Sequence, residues 1–292
     1  MRIGFFPNMK KENIRDILSQ AITYCHTYGI EVYMPKELEH HDVYALGIEK
    51  SHLLSRPDIF EHLDMAFSFG GDGTIIQLAR QIYPYNVPIC GINLGELGFL
   101  NQIELENLEM AIERISKGDF YVEDRIHLVG TLHTPEGERV LRPAINDIVV
   151  SRSEPGKMAR INLSINGGHT QMYPADGLIV ACSTGSTGYN LSAGGPIMAP
   201  DNRSLIVTPI APHLLQGVSL VLKESAKIDI TMPERQKNLH ISVDGTFDYE
   251  FSNTDSLHIE AHPQYCKYVR FKDQKFFATL FKKLTARSKE VL

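Results

Sequence analysis

The stretch Met65-Ala66-Phe67-Ser68-Phe69-Gly70-Gly71-Asp72-Gly73-Thr74 decides how this chain is built, because an apolar run ends in glycines that enclose one carboxylate. The run predicts a buried strand, and the residues that follow it, 74–82, predict a helix. Glycines let a backbone approach a ligand closely, and a helix N-terminus presents N–H groups to an anion. The turn therefore predicts a phosphate site.

Asp72 is the unexpected residue in this turn, because a carboxylate repels a bare phosphate. Its presence indicates a hydroxyl group to orient or deprotonate, or a metal ion to bind, beside the phosphate. A simpler alternative is that Asp72 only caps the helix, since Asp is a favourable N-cap residue.

Strand and helix patterns alternate around this turn, which predicts a parallel sheet with crossover helices. Ligands of such sheets bind beyond the carboxyl ends of the strands, where Gly70–Gly73 falls. We therefore expect an α/β N-terminal domain with a parallel, Rossmann-like sheet over residues 1–103. The polar segment 35–63 is predicted to be a variable surface segment. The predicted strands are 3–6, 30–34, 65–68 and 87–92, and the predicted helices are 12–28 and 74–82.

The chain changes character after residue 103, where one predicted helix at 105–116 is followed by short β-branched or alternating runs between Gly, Pro and Asn turns. That pattern predicts a mainly β C-terminal domain over residues 104–265.

A second informative segment runs from Asp176 to Pro196 and reads DGLIVACSTGSTGYNLSAGGP. An apolar strand leads directly into hydroxyls and glycines, which suit a phosphorylated, polyhydroxylated ligand. The alternative, a surface turn rich in Ser and Gly, does not explain the apolar residues on both sides. The pair Asn146-Asp147, directly before an apolar strand, fits a ribose diol or an adenine edge, although for this pair taken alone an ordinary turn is the favoured interpretation.

Together these segments resemble the NAD kinase family, whose members phosphorylate the 2′-hydroxyl of the adenosine ribose of NAD. The match covers most of the chain in family order, and the long Asp176–Pro196 element is its most specific part. The other matching stretches are GGDGT at 70–74, GINLGELGFL at 91–100, Asn146-Asp147, PIAPH at 209–213 and SVDG at 242–245.

The resemblance implies roles for individual residues. Asp72 would be the catalytic carboxylate, and Gly73 would allow close approach of NAD. It also implies that segment 266–292 packs back on the first domain, that ATP arrives with Mg²⁺, and that the protein forms dimers or tetramers. The remaining residues implied to bind NAD are Asn146, Asp147, Arg160, Asp176, Thr187, Gly188, Tyr189, Asn190, Leu191 and Ser192.

Three positions depart from the family pattern. Pro174 replaces a residue that is often basic, Thr246 replaces a common Gln, and Leu214–Gly217 replaces the usual continuation after Pro212-His213. These departures concern base and nicotinamide recognition and leave the phosphoryl-transfer residues in place.

The composition is that of an ordinary globular protein. Of 292 residues, 29 are basic and 35 acidic, a formal net charge of −6, which gives no electrostatic basis for binding nucleic acid. The four cysteines are far apart and form no metal-binding or redox pair, and no run reaches membrane-spanning length. We expect a cytoplasmic protein with no metal site of its own.

Two rival functions remain open at this stage. One is a kinase of another hydroxyl substrate, a lipid or a sugar, built on the same GGDGT turn. The other is a sensor that binds NAD(P) without turnover. Neither the dinucleotide fingerprint G-x-G-x-x-G nor the phosphate loop G-x-x-x-x-G-K-[ST] occurs, which disfavours ordinary dehydrogenases and P-loop ATPases.

Overall fold

The apolar runs of the chain build two compact units, one made of Met1–Asp124 with Cys266–Leu292 and the other of Arg125–Tyr265. The computed structural model describes residues 1–95, 98–101, 103–154, 157–168, 171–213, 217–236, 238–273 and 276–290, without the side chains of 247, 248, 283, 284 and 286–290.

The first unit is an α/β layer structure. Its elements are β1 (Arg2–Pro7), α1 (Ile14–Thr27), β2 (Glu31–Pro35), β3 (Leu53–Leu54), α2 (Arg56–His62), β4 (Met65–Gly70), α3 (Asp72–Ile82), β5 (Ile89–Asn93), β6 (Ile103–Glu104), α4 (Leu108–Ser116), β7 (Tyr121–Arg125), β20 (Cys266–Arg270) and α6 (Phe276–Glu290). Its sheet has the strand order β3-β2-β1-β4-β5-β20-β7, with β6 also paired to β5. The pairs β3–β2, β2–β1, β1–β4, β4–β5, β5–β6 and β5–β20 are parallel.

Apolar residues at helical spacing explain how the helices cover this sheet. The buried face of α1, with Leu18 and Cys25, shares a core with the buried face of α4 and with Phe5 and Phe67 of the sheet. Phe6, the next residue of β1, points to the opposite face and contacts Phe60 of α2 at 5.4 Å between ring centroids. Helices therefore pack on both faces, as the alternating pattern predicts for a parallel sheet.

The structure differs from the sequence expectations in two places. The first unit continues to Asp124, whereas the expected first domain ended at residue 103, because α4 packs in the first core and β7 lies beside β20. The segment 35–63 is more than a surface segment: it contains β3 and α2 and buries Val43, Ile59 and Phe60. Its apolar residues are too sparse to stand out among the polar ones.

The second unit consists of two antiparallel sheets, with orders β15-β14-β13-β10-β17-β18 and β12-β11-β16-β19-β8-β9. The elements are β8 (Leu128–Thr134), β9 (Gly137–Val140), β10 (Asp147–Arg152), β11 (Ala159–Ile165), β12 (Gln171–Ala175), β13 (Gly177–Cys182), α5 (Tyr189–Ser192), β14 (Ser204–Ile210), β15 (Leu220–Lys223), β16 (Ile228–Thr231), β17 (Leu239–Val243), β18 (Thr246–Phe251) and β19 (Ser256–Ala261); β20 (Cys266–Arg270) and α6 (Phe276–Glu290) then return to the first unit.

Side chains that alternate along the strands fill the space between the two sheets. Ile148 and Val150 of β10 enter a core shared with Leu257 and Ile259 of the facing sheet. Val149 points the other way and packs in a smaller cluster with Met198 and others. The sheet that carries β10 and β13 is therefore covered on both faces, and the expected α/β domain followed by a mainly β domain is confirmed.

No helix among the described residues combines the length and apolar character that crossing a bilayer requires.

Candidate active site

The Asp72 carboxylate is held by a loop distant in sequence. Asp72 is the first residue of α3, and its Oδ2 accepts the N–H of Phe99 at 2.9 Å. Its Oδ1 accepts the N–H of Leu100 at 3.2 Å and Nδ2–H of Asn101 at 3.1 Å. Three donors therefore fix the orientation of this side chain.

Gly98 makes that approach possible. A Cβ atom at residue 98 would lie 1.8 Å from Asp72 Oδ1, closer than any real carbon contact. A residue with a side chain at position 98 would clash with the Asp72 carboxylate. This clash explains why the Gly91–Leu100 stretch has a glycine at residue 98. Glu96 and Leu97 of that stretch lie outside the described residues.

The capping alternative for Asp72 is wrong. The N-cap of α3 is Gly71, and no side chain caps that helix. Since the Asp72 carboxylate bonds residues 99–101, it is available at the end of β4 as an oriented acceptor.

A cavity of about 650 Å³ lies beside this turn, which we call the Gly73 cavity. It forms where β1 and β4 run side by side, with Pro7 paired opposite Phe69, so that the loops after both strands meet. The strand order reverses between β1 and β4, the usual ligand position in an open α/β sheet. Its polar and basic lining includes Lys10, Lys11, Arg56, Gly71, Gly73 and Thr74.

Arg56 is pre-oriented within that lining. Its guanidinium donates to Gln81 Oε1 at 2.7 Å and to the Glu37 carboxylate, and it lies 5.5 Å from the centre of the Phe6 ring. Lys10 and Lys11 come from the turn after β1, where their backbone N–H groups bond Asn8. The cavity thus gathers cations around the N-terminus of α3, which favours a bound phosphate chain.

In the second unit, three strand ends meet. β10 lies between β13 and β17 and runs antiparallel to both, with Asp147 opposite Ala181 and Ile148 opposite Val243. The start of β10 therefore meets the ends of β13 and β17, which brings together Asn146-Asp147, the turn after Cys182 and the turn at Asp244.

The turn after β13 packs tightly on Asn146. The Asn146 carbonyl accepts the N–H of Cys182 at 3.0 Å, and a Cβ at Gly185 would lie 2.1 Å from the same oxygen. A Cβ at Gly188 would lie 3.9 Å from both Asn146 Nδ2 and Asp147 Oδ2. The predicted residues Asn146, Asp147 and Gly188 are thus neighbours.

Asn146 and Asp147 line a cavity of about 410 Å³, the Asp147 cavity, together with Tyr189, Ser242, Asp244 and Gly245 among others. Asp147 is 4 % exposed. Burial, and secondarily the charge of Asp244, raise the pKa of the Asp147 carboxyl to about 7. The cavity therefore offers an amide, a phenol and a carboxyl group that holds its proton up to neutral pH.

The residues of the segment Thr187–Ser192 serve two purposes: some line a cavity, and others make hydrogen bonds inside the protein. Among the described residues, Tyr189 lines the Asp147 cavity, whereas Thr187, Leu191 and Ser192 lie outside its lining.

The Asn190 side chain corrects our expectation, because it points into the protein. Its Nδ2 donates to Ser186 O and Pro196 O, each at 3.0 Å, and its Oδ1 accepts from Thr208 Oγ1 at 2.7 Å. Several hydroxyls expected to face a ligand also bond the fold: Ser183 donates to Pro200 O and Ser186 to Met198 O.

Arg160 and Asp176 lie at a different place in this unit. Arg160 lines a second cavity of about 420 Å³, the Arg160 cavity, with Arg152, Lys157, Arg235 and Gln236. Asp176 borders it through an ion pair with Arg152 at 3.0 Å. Arg160 of β11 pairs with Pro174 of β12 in the sheet. The basic residue Arg160 is therefore the strand neighbour of the position that departs from the basic residue often found in the family.

Sequence reasoning missed the residues that hold the predicted ones in place. The Phe99–Asn101 contacts to Asp72 and the Asp244 contacts to residues 145–147 are long-range, and only the glycines beside them gave a signal. Lys10 and Lys11 had no distinguishing pattern. The departure at Leu214–Gln216 lies outside the described residues, and the described residues include no group of three or more His, Cys, Asp or Glu arranged for a metal ion.

Comparison with known proteins follows the same division of the chain. Residues 3–120 match the ATP-NAD kinase N-terminal domain, and residues 145–271 match the ATP-NAD kinase C-terminal domain. An NAD kinase of Caldanaerobacter subterraneus subsp. tengcongensis is 35 % identical over 98 % of this chain and 99 % of its own. The chain belongs to the NAD kinase family. The resemblance stated from the sequence is thereby confirmed.

Other NAD kinase family members agree. The NAD kinase of Ruminiclostridium cellulolyticum is 33 % identical over 99 % of both chains. The crystal structure of an NAD kinase from Archaeoglobus fulgidus in complex with ATP has a TM-score of 0.71 and 27 % identity, covering 98 % of this chain and 99 % of that one. Yeast NADH kinase complexed with NADH shares the fold, with a TM-score of 0.85 and 23 % identity over 98 % of this chain and 87 % of that chain.

Proposed function

We propose that this chain transfers the terminal phosphoryl group of ATP to the 2′-hydroxyl of the adenosine ribose of NAD, forming NADP. The observation that carries the proposal is the Asp72 carboxylate, oriented by three donors at the start of α3, in a chain of the NAD kinase family.

Asp72 is the proposed catalytic residue. A carboxylate accepts about four hydrogen bonds, and the described residues supply two at Oδ1 and one at Oδ2. The second acceptor position of Oδ2 therefore suits the ribose hydroxyl. Phosphoryl transfer passes through a loose transition state, in which positioning matters more than early deprotonation. Asp72 orients the 2′-oxygen toward the phosphorus, and it takes the proton late, as the bond from phosphorus to the ADP oxygen breaks.

The Gly73 cavity is the proposed binding site of the ATP phosphates, and Gly73 itself is proposed to allow close approach of NAD. Its lysines and the α3 N-terminus supply the positive charge that a chain with a net charge of −6 must gather locally. Mg²⁺ is usually held by substrate phosphates with only one or two carboxylates, so we expect it to enter with ATP as part of the substrate.

The second unit is the proposed dinucleotide-binding unit. Asn146, Asp147 and Tyr189, which line the Asp147 cavity, and their neighbour Gly188 are proposed to bind the adenosine half of NAD. Arg160 is proposed to bind a phosphate, because guanidinium groups pair well with phosphate oxygens, and Asp176 to orient Arg152. Thr187, Leu191 and Ser192 are proposed to contact NAD beyond the Asp147 cavity, and Asn190 to hold their segment in place.

One assay tests the function. Purified protein is incubated with ATP, Mg²⁺ and NAD, and NADP is measured with a dehydrogenase specific for NADP. We expect NADP to accumulate with ATP and NAD both present, and an Asp72→Asn sample to serve as the inactive reference. No NADP from a folded protein that binds NAD indicates the sensor function, and phosphorylation of a lipid or sugar in place of NAD indicates the other rival.

The proposal also includes a cellular compartment and an oligomeric state. All four cysteines are buried free thiols, which favours a reducing compartment, and we propose the cytoplasm. A dimer or tetramer is proposed by family resemblance, and light scattering of the purified protein tests it.

A further inference from the structure

Asp244 makes an unusual set of contacts at the turn between β17 and β18. Its Oδ1 accepts the N–H of Asn146 at 2.7 Å and that of Asp147 at 3.0 Å, and its Oδ2 accepts the N–H of Ile145 at 2.9 Å. Its own N–H returns to the Asp147 carbonyl at 3.0 Å. One carboxylate thus binds three consecutive backbone N–H groups.

Such an arrangement resembles an anion-binding concavity already filled by a side chain. Hydrogen bonds to a charged acceptor are about twice as strong as neutral ones, so the turn holds residues 145–147 firmly. Asp244 has φ 46° and Gly245 has φ 78°, both in the left-handed region, which is the backbone conformation that a tight two-residue Asp-Gly hairpin turn favours.

The backbone of Asn146 is consequently fixed from two sides. The Asp244 carboxylate accepts a hydrogen bond from the N–H of Asn146, and the carbonyl of Asn146 accepts one from the N–H of Cys182 at 3.0 Å. The side chains of Asn146 and Asp147 are left to line the Asp147 cavity with Tyr189. Burial, and secondarily the charge of Asp244, raise the pKa of the Asp147 carboxyl.

We propose that Asp244 is a positioning residue for nucleotide binding, which presets Asn146 and Asp147 in the geometry that receives the adenosine half of NAD. This inference rests on the proposed function and adds a residue to its site. Asp244 need not touch NAD itself. Because its charge helps keep the proton on Asp147, that side chain donates a hydrogen bond to NAD at pH values below about 7.

The test compares steady-state kinetics of Asp244→Ala, Asp244→Asn and wild type. We expect the KM for NAD to rise about 10- to 100-fold in Asp244→Ala, the equivalent of one or two lost charge-assisted hydrogen bonds. The KM for ATP should stay within about threefold. Asp244→Asn, which keeps the size and one acceptor oxygen, should be intermediate and provides the measurement if Asp244→Ala does not fold.

The matched control is Asp255→Ala. Asp255 also lies in a β-turn of this unit and accepts one backbone N–H, that of Ser252, at 2.7 Å, but away from the Asp147 cavity. Its kinetics should equal those of wild type.

A pH profile separates positioning from general stability. The groups near the Asp147 carboxyl are Asp244 on the hairpin turn, the Cys182 thiol on β13 and Tyr189 on α5. In wild type the KM for NAD should rise as pH passes about 7. In Asp244→Asn the rise should move to lower pH, because the neighbouring charge is gone.

The outcomes are distinct. A wild-type protein that forms no NADP overturns the proposed function. An active wild type with an unchanged KM for NAD and an unchanged pH profile in folded Asp244→Asn overturns the positioning role alone.

Discussion

The Asp72 carboxylate is oriented in the absence of substrate by three hydrogen-bond donors, Phe99 N, Leu100 N and Asn101 Nδ2. Both carboxylate oxygens act as acceptors. An amide in their place would keep one acceptor but turn the other atom toward an N–H donor, so it would lose both the charge and part of the orientation.

Asp72→Asn should therefore lower kcat by about 10²- to 10⁴-fold, the usual contribution of a general base. The KM for NAD should stay within a few-fold, because the second unit supplies most of the proposed NAD contacts. Steady-state kinetics on protein with an unchanged circular dichroism spectrum gives the answer. A steep rise in KM at constant kcat would make Asp72 a binding residue only.

Gly98→Ala should also impair catalysis, for a steric reason. The added Cβ would lie 1.8 Å from Asp72 Oδ1, so the loop and the carboxylate must separate. We expect kcat to fall by at least about tenfold, equivalent to about 1.4 kcal/mol of barrier.

Gly95→Ala is the matched control in the same stretch, since among described residues its added Cβ would contact only Lys11 Nζ, at 3.9 Å. It should retain nearly full kcat. Equal kcat values in the two variants would contradict the fit of Gly98 against Asp72.

Arg270 of β20 links β7, at the edge of the sheet, to the loop of residues 98–101 that holds the Asp72 carboxylate. The side chain is 3 % exposed, pairs with Glu123 of β7 at 3.3 Å and donates to the Leu100 carbonyl at 3.4 Å. Arg270 therefore neutralises a mostly buried carboxylate and also bonds Leu100, the residue whose N–H holds Asp72.

Arg270→Met should lower the free energy of unfolding by about 3 kcal/mol, because it leaves the mostly buried Glu123 carboxylate, 14 % exposed, without this cation. Urea denaturation measures the loss, and adding Glu123→Leu should recover much of it. The control is Arg2→Met at the exposed Arg2–Asp64 pair, whose side chains are 43 % and 46 % exposed. It should cost less than about 1 kcal/mol, and an equal cost in both would contradict the argument.

Local patterns predicted most elements of this fold, because their signals lie within one strand or helix. Helix α3 begins two residues before its prediction, since Gly71 and not Asp72 caps it. The short β3 and α2 were missed because two or three buried side chains in a polar segment set no clear period. The Asp72–Phe99 and Asp244–Asn146 contacts depend on which strands lie side by side, and no local period encodes that.

Two buried groups of the second unit, Asp147 and His127, make its stability depend on pH in opposite directions. Burial and Asp244 raise the pKa of Asp147 to about 7, whereas burial and then His262 lower the pKa of His127 to about 3. From about pH 4 to 7 the folded state keeps a proton on Asp147 that the unfolded chain releases, so stability falls as pH rises. From about pH 6.5 down to 3 the unfolded chain protonates His127 first, so stability falls as pH falls.

Asp147→Asn should accordingly become more stable relative to wild type as pH rises from about 4 to 7, with no further change above. His127→Asn should become more stable relative to wild type as pH falls below about 6.5. Urea midpoints across this range measure both differences. Parallel curves for wild type and Asp147→Asn would mean that Asp147 is ionised in the folded protein.

The path of the chain has a consequence for its synthesis. Strand β20 lies between β5 and β7, yet it is made after all of Arg125–Tyr265. The ribosome therefore delivers a contiguous β unit that can close while the α/β unit still lacks an interior strand. Domains generally fold in the order in which they are translated, but here the α/β unit cannot complete its sheet until β20 has been made after the β unit.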